Sequence, residues 1–185
     1  MGYISIDAKV LGDKELMRNL EKLSGHDIPK AIKQGVKYAA RGGRTAIAKN
    51  IGANYSLTAG RIKQDVSEPS YRDGGMTAIL RTSRKPITFA SYKARDVRPR
   101  GVTVAIYRGQ RSRHPKAFGA KGLFWVRQGR SNYPLKVLHG PSIHAIYDGG
   151  AFAGAIQSAT ETRIEEQLVK GILRAIGSAA AGFGR

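Results

Sequence analysis

The chain contains no cysteine. That excludes a disulfide scaffold, cysteine-ligated zinc, iron–sulfur clusters and thiol catalysis. No apolar run approaches the ~18 residues of a membrane-spanning helix, so no membrane partner is expected. The opening stretch MGYISIDAKVLGDKE has no basic segment followed by an apolar one, so no secretory signal is expected there. Acidic residues are scarce: 13 Asp and Glu stand against 32 Lys and Arg in 185 residues, a net charge of +19. The scarcity is local. Residues 81–136 hold 15 basic groups and one acid, Asp96, whereas residues 137–185 hold four of each sign. A carboxylate pair for general acid–base chemistry therefore has no place within the basic middle. Hydrophobic residues make up 41% of the chain, enough for a packed core, which excludes wholesale disorder.

Motifs for catalysis and ligand binding are also missing. His26, His114, His139 and His144 show no metal-ligand spacing, and Gly140-Pro141 between the last two prevents one helix from aligning them. No glycine-rich nucleotide loop occurs. Ser142 stands in G-P-S-I, without the second glycine of a nucleophile elbow. The expectation is a protein that is not an enzyme and holds no cofactor and no metal.

Patterning gives the elements. Ile4, Ile6, Ala8 and Val10 alternate with polar residues, as in a half-buried strand. Leu16, Leu20 and Leu23 predict a short helix after Asp13. Asp27 before Ile28-Pro29 is a helix start. From there Ile32, Val36, Ala39, Ala40, Gly43 and Ile47 keep one helical face to about Ile51. A shorter helix is expected from Thr58 to Val66. Residues 76–82, 87–92 and 102–107 read as strands of an antiparallel meander, because their links are too short for parallel crossovers. Residues 108–122 read as a basic, glycine-rich mobile loop, with further short strands at 123–127 and 135–138. Ser142 is a cap candidate for a turn or helix to Tyr147, and Gly149-Gly150 reads as a hinge. A long amphipathic helix is predicted over 152–176, with Ile156, Ala159, Ile164, Leu168, Ile172, Ala175 and Ile176 on one face and a frayed tail beyond.

The expected fold is α+β: a mainly antiparallel sheet packed against a long helix in the N-terminal half and a long C-terminal helix. It is read as one domain over 1–185. A strand and short helix occupy 1–28, a helical region 29–66, a basic β-rich region 76–140 and the C-terminal helix 151–177.

Positive charge is the strongest signal. Lys30, Lys33, Lys37, Arg41 and Arg44 recur every three or four residues, hence on one stripe of a helix, and no acid lies between Asp27 and Asp65. Like charges at these spacings destabilise an isolated helix by a few tenths of a kcal/mol per pair. The stripe is either a plain solvated face or one that a polyanion or an acidic partner surface compensates. A second cluster comprises Lys93, Arg95, Arg98, Arg100, Arg108, Arg111, Arg113 and Lys116, interleaved with proline and glycine. Loops of this kind reach a phosphate backbone without fixing a base register. Neither a helix-turn-helix nor a zinc finger is present to read sequence. Tyr92, Tyr107, Phe118, Phe124 and Trp125 either stack on bases or pack in core and interfaces, packing being the simpler reading.

Four ordered segments carry a resemblance: ILRTSRKPITFASYKAR (79–95), RGVTVAIYRGQR (100–111), KAFGAKGLFWVRQGR (116–130) and LHGPSI (138–143). Arg81, Ser83, Lys85, Pro86, Ile87, Lys93, Ala94 and Arg95 open the pattern. Gly101, Val102, Val104, Ala117, Phe118, Trp125, Val126, Arg127, Gly129 and Arg130 continue it, and Leu138, Gly140, Pro141, Ser142 and Ile143 close it. Together with Ala40, Arg41, Arg44, Thr45 and Ala46 upstream, this set resembles the minor tail protein Z family, the tail completion proteins of long-tailed bacteriophages. The likeness covers roughly residues 30–175. It departs from the family at Ile87-Thr88-Phe89, where the family carries an aliphatic run.

The resemblance implies a structural virion protein at the neck, assembled in bacterial cytoplasm. Such a protein completes the head-proximal end of the tail as a ring, with six copies by analogy with tail symmetry. Its partners would be further copies of itself, the tail terminator, the head connector and genomic DNA held by nonspecific electrostatic contact. On that reading the DNA-facing candidates are Lys30, Lys33, Lys37, Arg41, Arg44, Arg95, Arg98, Arg100, Arg111 and Arg113. The assembly-contact candidates are Phe118, Phe124, Trp125, Gly140, Pro141 and Ser142, Gly140 being expected to permit a sharp bend and Pro141 to set the chain direction. The alternative is a sequence-nonspecific DNA- or RNA-binding protein.

Overall fold

A computed structural model describes residues 2–7, 27–129 and 133–182. The short helix expected around Leu16–Leu23 falls outside the described residues, as do Ala8, Val10, His26 and Arg130. Four helices are described: α1 (Asp27–Asn54), α2 (Ala59–Asp65), α3 (Ile143–Gly149) and α4 (Ala153–Gly182). The strands are β1 (Gly2–Asp7), β2 (Ser70–Arg72), β3 (Thr77–Thr82), β4 (Ile87–Thr88), β5 (Arg95–Asp96) and β6 (Val102–Val104). They continue with β7 (Ser112–His114), β8 (Ala117–Ala120), β9 (Leu123–Arg127), β10 (Leu135–Val137) and β11 (His139–Gly140). The fold class is α+β, and every described strand pairing is antiparallel.

The chain forms two compact units. The first comprises residues 1–47, 67–82 and 157–185, and the second residues 48–66 and 83–156. The division falls inside α1, after α2, after β3 and inside α4.

In the first unit β3 lies between β1 and β2. Ile4 stands opposite Leu80 and Ser5 opposite Ile79. β3 buries Ala78, Leu80 and Thr82 and leaves the alternate residues more open, the period of two of a half-buried strand. The helical portion buries Ala31, Gly35, Val36, Ala39, Ala40, Gly43, Ala46 and Ile47 at spacings of four, one and three. Full burial of an aliphatic side chain such as Ile47 contributes about 1.5–3 kcal/mol. Glycine sets the helix approach. An added Cβ at Gly35 would sit 2.5 Å from Ile172 Cγ1, and one at Gly171 would sit 2.8 Å from Gly35 Cα. On α4 the buried residues include Ile156, Thr160 and Ile172, whereas Ala159, expected on the apolar face, is exposed. Repeating four residues from Ile156 leads through Thr160, Ile164 and Leu168 to Ile172, so the line passes Ala159 by. Helix α4 also continues to Gly182, beyond the expected end at 176.

The second unit departs most from expectation. The strands do not form one meander. β3 belongs to the sheet of the first unit, while here β5-β6-β7, β8-β9-β10 and β4-β11 make three small sheets. The stretch 87–92 is strand only at Ile87-Thr88 and then turns into a 3-10 helix, Phe89–Tyr92. That turn buries Phe89 and Tyr92 on one side, which an extended chain would point to opposite faces. The basic segment 108–122 contains β7 and most of the β8–β9 hairpin. Gly109 and Gly122 serve tight turns: Lys121 (φ 51°) and Gly122 (φ 74°) link β8 to β9 as a two-residue turn with both residues left-handed. Gly101 (φ 89°) closes the β5–β6 hairpin, where a Cβ would strike His114 O and Pro115. The expected helix starts hold. Thr58 caps α2 through Arg61 N–H, and Ser142 caps α3 through Ala145 N–H at 3.1 Å.

Candidate nucleic-acid interface

The α1 stripe is uneven. Lys30, Lys37 and Arg41 are exposed, but Lys33 and Arg44 are half-buried. The Lys33 stem lies against the 3-10 turn Asp73–Gly75, so near that a Cβ on Gly75 would sit 3.4 Å from Lys33 Cγ. Arg44 is ion-paired with Glu68. That acid is distant in sequence from the stripe, which is why the helix alone reads as uncompensated. Within the first unit, then, Lys37 and Arg41 carry the open charge most plainly.

In the second unit two of the expected arginines come together. Thr103 of β6 stands opposite Arg95 of β5 on one side and Arg113 of β7 on the other. Residues directly opposite share a face of an antiparallel sheet, so Arg95, Thr103 and Arg113 form one row. Both arginines are exposed, while Val102 and Val104 on the opposite face are fully buried. Alternation along β6 thus separates a polar face from a core face. Thr103 was no candidate on sequence grounds, since its place between two arginines depends on register across two hairpins.

Arg98 and Arg100 lie in the β5–β6 turn, which Val97 N–H closes by donating to Gly101 O at 2.8 Å. Both are exposed but differ in freedom. Arg98 Nε sits 3.0 Å from Asp96 Oδ2, an oxygen that also accepts the Gly119 N–H at 2.9 Å. The single acid of the basic middle therefore ties the β5–β6 turn to β8. Arg100 O accepts from Arg113 Nε at 2.9 Å, which steadies the arginine row. Arg111 precedes β7 and is exposed.

The assembly-contact candidates divide in two groups. Phe118 stands opposite Trp125, and Gly119 opposite Phe124, in the β8–β9 pairing. Phe118, Phe124 and Trp125 are half-buried. Arg127 sits over the Phe118 ring at 5.2 Å, and Trp125 Nε1 donates to Ala120 O at 3.1 Å. Gly140, Pro141 and Ser142 are occupied inside the unit. Gly140 faces the Tyr92 ring, Pro141 O accepts from Tyr92 Oη at 2.7 Å, and Ser142 is buried as a helix cap. Gly140 was expected for a sharp bend. Its backbone shows no positive φ, and the need for glycine is steric: a Cβ would lie 2.6 Å from Tyr92 Cε2.

Two tyrosines of this unit titrate above their ordinary range. Burial pushes the Tyr92 hydroxyl up; Tyr55, Asp65 and Tyr107 add to this by smaller amounts, and Arg61 partly opposes it. Burial likewise raises Tyr55, with Tyr107 adding to it. Among the described residues no group of three His, Asp or Glu lies close enough to hold a metal ion, and no helix is long and apolar enough to cross a membrane. Compared with family models, curated proteins and solved structures, the chain matches none.

Proposed function

We propose that this chain is a structural protein of a long-tailed bacteriophage, completing the head-proximal end of the tail as a ring at the head–tail neck. The reading rests on the ordered motif set from Leu80 to Ile143 and its resemblance to the tail completion proteins. The observation that carries the DNA-facing part is the row Arg95–Thr103–Arg113: two exposed cations held on the polar face of a small sheet by backbone register. Such a row meets phosphates without reading bases. Lys37 and Arg41 on α1 add a second open basic surface. The proposed partners are further copies of the chain, six in a ring, with the tail terminator on one side, the head connector on the other and genomic DNA in the lumen.

Electron microscopy and infectivity titres of particles assembled without this protein test the proposal. Separate heads and tails, or joined particles that fail to infect, support it. Normal infectious particles overturn it. The exposed arginine row also favours a second reading, a free-standing nucleic-acid binder without sequence preference. That reading requires the isolated chain to hold duplex DNA at moderate salt, with log K falling steeply against log salt.

A further inference from the structure

A cavity of about 480 Å³ opens in the second unit, lined among others by Ser56, Lys93, Arg108, Gly109, Gln110 and Arg111. We propose that it is a binding site for a doubly charged phosphate group, with Lys93, Arg108 and Arg111 as its cations. The inference goes beyond the virion role and does not depend on it.

Three chain segments distant in sequence build the site, and backbone hydrogen bonds hold each in place. Ser56 follows α1 and forms buried floor; its N–H donates to Ile106 O at 3.0 Å. Arg108 N–H donates to Asn54 O at 2.8 Å, which fixes the 107–110 turn against the end of α1. Gly109 supplies the left-handed residue of that turn at φ 77°. Lys93 is itself left-handed (φ 54°, ψ 35°) as the cap of the 3-10 helix Phe89–Tyr92, and Ala105 N–H donates to Tyr92 O beside it. A lysine held at positive φ is an uncommon backbone state, tolerated where the surroundings over-determine it.

Charge selects the ligand. No Asp or Glu lines the cavity, and Lys93, Arg108 and Arg111 make no ion pair among the described residues. The carboxylate nearest in sequence, Asp96, is taken by Arg98 and Gly119. Three cations around one concavity repel one another unless an anion sits between them. A single carboxylate supplies one charge. A terminal phosphate supplies about two, with oxygens in directions that guanidinium forks can meet. The volume falls in the range of small-ligand sites, about 300–1,000 Å³, so it also holds part of whatever carries the phosphate. That carrier is the phosphorylated end of a nucleic-acid strand or a free oligophosphate.

Calorimetric titration of the full chain with inorganic pyrophosphate, and separately with one short oligonucleotide in 5′-phosphorylated and 5′-hydroxyl forms, tests the site. Saturable binding of pyrophosphate assigns a free oligophosphate. Preference for the phosphorylated oligonucleotide with weak pyrophosphate binding assigns the strand end. In either case Lys93→Gln, Arg108→Gln and Arg111→Gln should each weaken binding by roughly tenfold. Lys170→Gln, an equal charge loss on an exposed residue of α4, should change it by less than about twofold. Circular dichroism and thermal melts check that these variants stay folded. Absence of saturable binding, or equal loss with Lys170→Gln, overturns the proposal.

Discussion

The Tyr92 hydroxyl donates to the Pro141 carbonyl at 2.7 Å, and the same ring closes off the space a side chain at Gly140 would need. Beside this contact Ile87 pairs with Gly140 and Thr88 with His139, while Phe89 N–H donates to Leu138 O. The Pro86-Ile87 and Gly140-Pro141-Ser142-Ile143 motifs, separate in sequence, thus form one brace around a buried tyrosine.

Both halves of the brace should be measurable in urea unfolding. Tyr92→Phe leaves the Pro141 carbonyl without its donor and should cost about 1–3 kcal/mol. Gly140→Ala forces the ring aside and should cost about 1–3 kcal/mol. Wild-type midpoints for both variants would show that the hydroxyl and the missing Cβ are immaterial.

Alkaline pH should loosen the same region. Tyr92 and Tyr55 have folded pKa values raised above the ordinary tyrosine value of 10.0. A raised value means that the folded state holds the proton more tightly. This stabilisation is therefore complete below about pH 10, where the tyrosines of the unfolded chain begin to ionise, and it is lost as pH rises toward the folded values. Stability measured by urea unfolding should be insensitive to these groups from pH 7 to about 9 and fall above 10. In Tyr92→Phe the fall should be shallower. An equal slope in that variant would assign the alkaline loss to other groups.

Glycine-to-alanine changes should differ in sign along the helices. Gly35→Ala meets Ile172 and the Leu168 carbonyl, and should destabilise by about 1–3 kcal/mol. Gly177 has nothing within 4 Å of an added Cβ, so Gly177→Ala should stabilise by about 0.5–1 kcal/mol through helix propensity alone. Thermal melts of the two variants make the comparison. A shift in the same direction for both would deny Gly35 its packing role.

The basic middle should show unequal charges toward DNA. If Arg95 and Arg113 meet phosphates, Arg95→Gln and Arg113→Gln should each reduce the slope of log K against log salt by about 1. Arg98→Gln should change it less, because that guanidinium already faces Asp96. Duplex titrations over a range of salt concentrations read this directly. A loss at Arg98 as large as at Arg95 would remove the distinction.

Alone, the sequence determined what depends on near neighbours. Thr58 and Ser142 mark helix starts because a cap acts within three residues. The apolar spacing from Ile32 to Ile51 predicts a long helix because its period is local, and the imbalance between residues 81–136 and 137–185 is composition alone. Tertiary structure decided what depends on distant partners. It broke the expected meander into small sheets, since a strand run does not state its partner when hairpin turns and long returns both satisfy its hydrogen bonds. It turned residues 89–92 into a 3-10 helix so that Phe89 and Tyr92 share one buried side. It paired Arg44 with Glu68 and laid the Lys33 stem against Gly75, making uneven a stripe that spacing alone shows as uniform. It gave Gly140 a steric reason in place of a conformational one, and it brought Ser56 to Lys93, Arg108 and Arg111. Each outcome joins residues too far apart along the chain for any local period to relate, so only the folded packing could choose it.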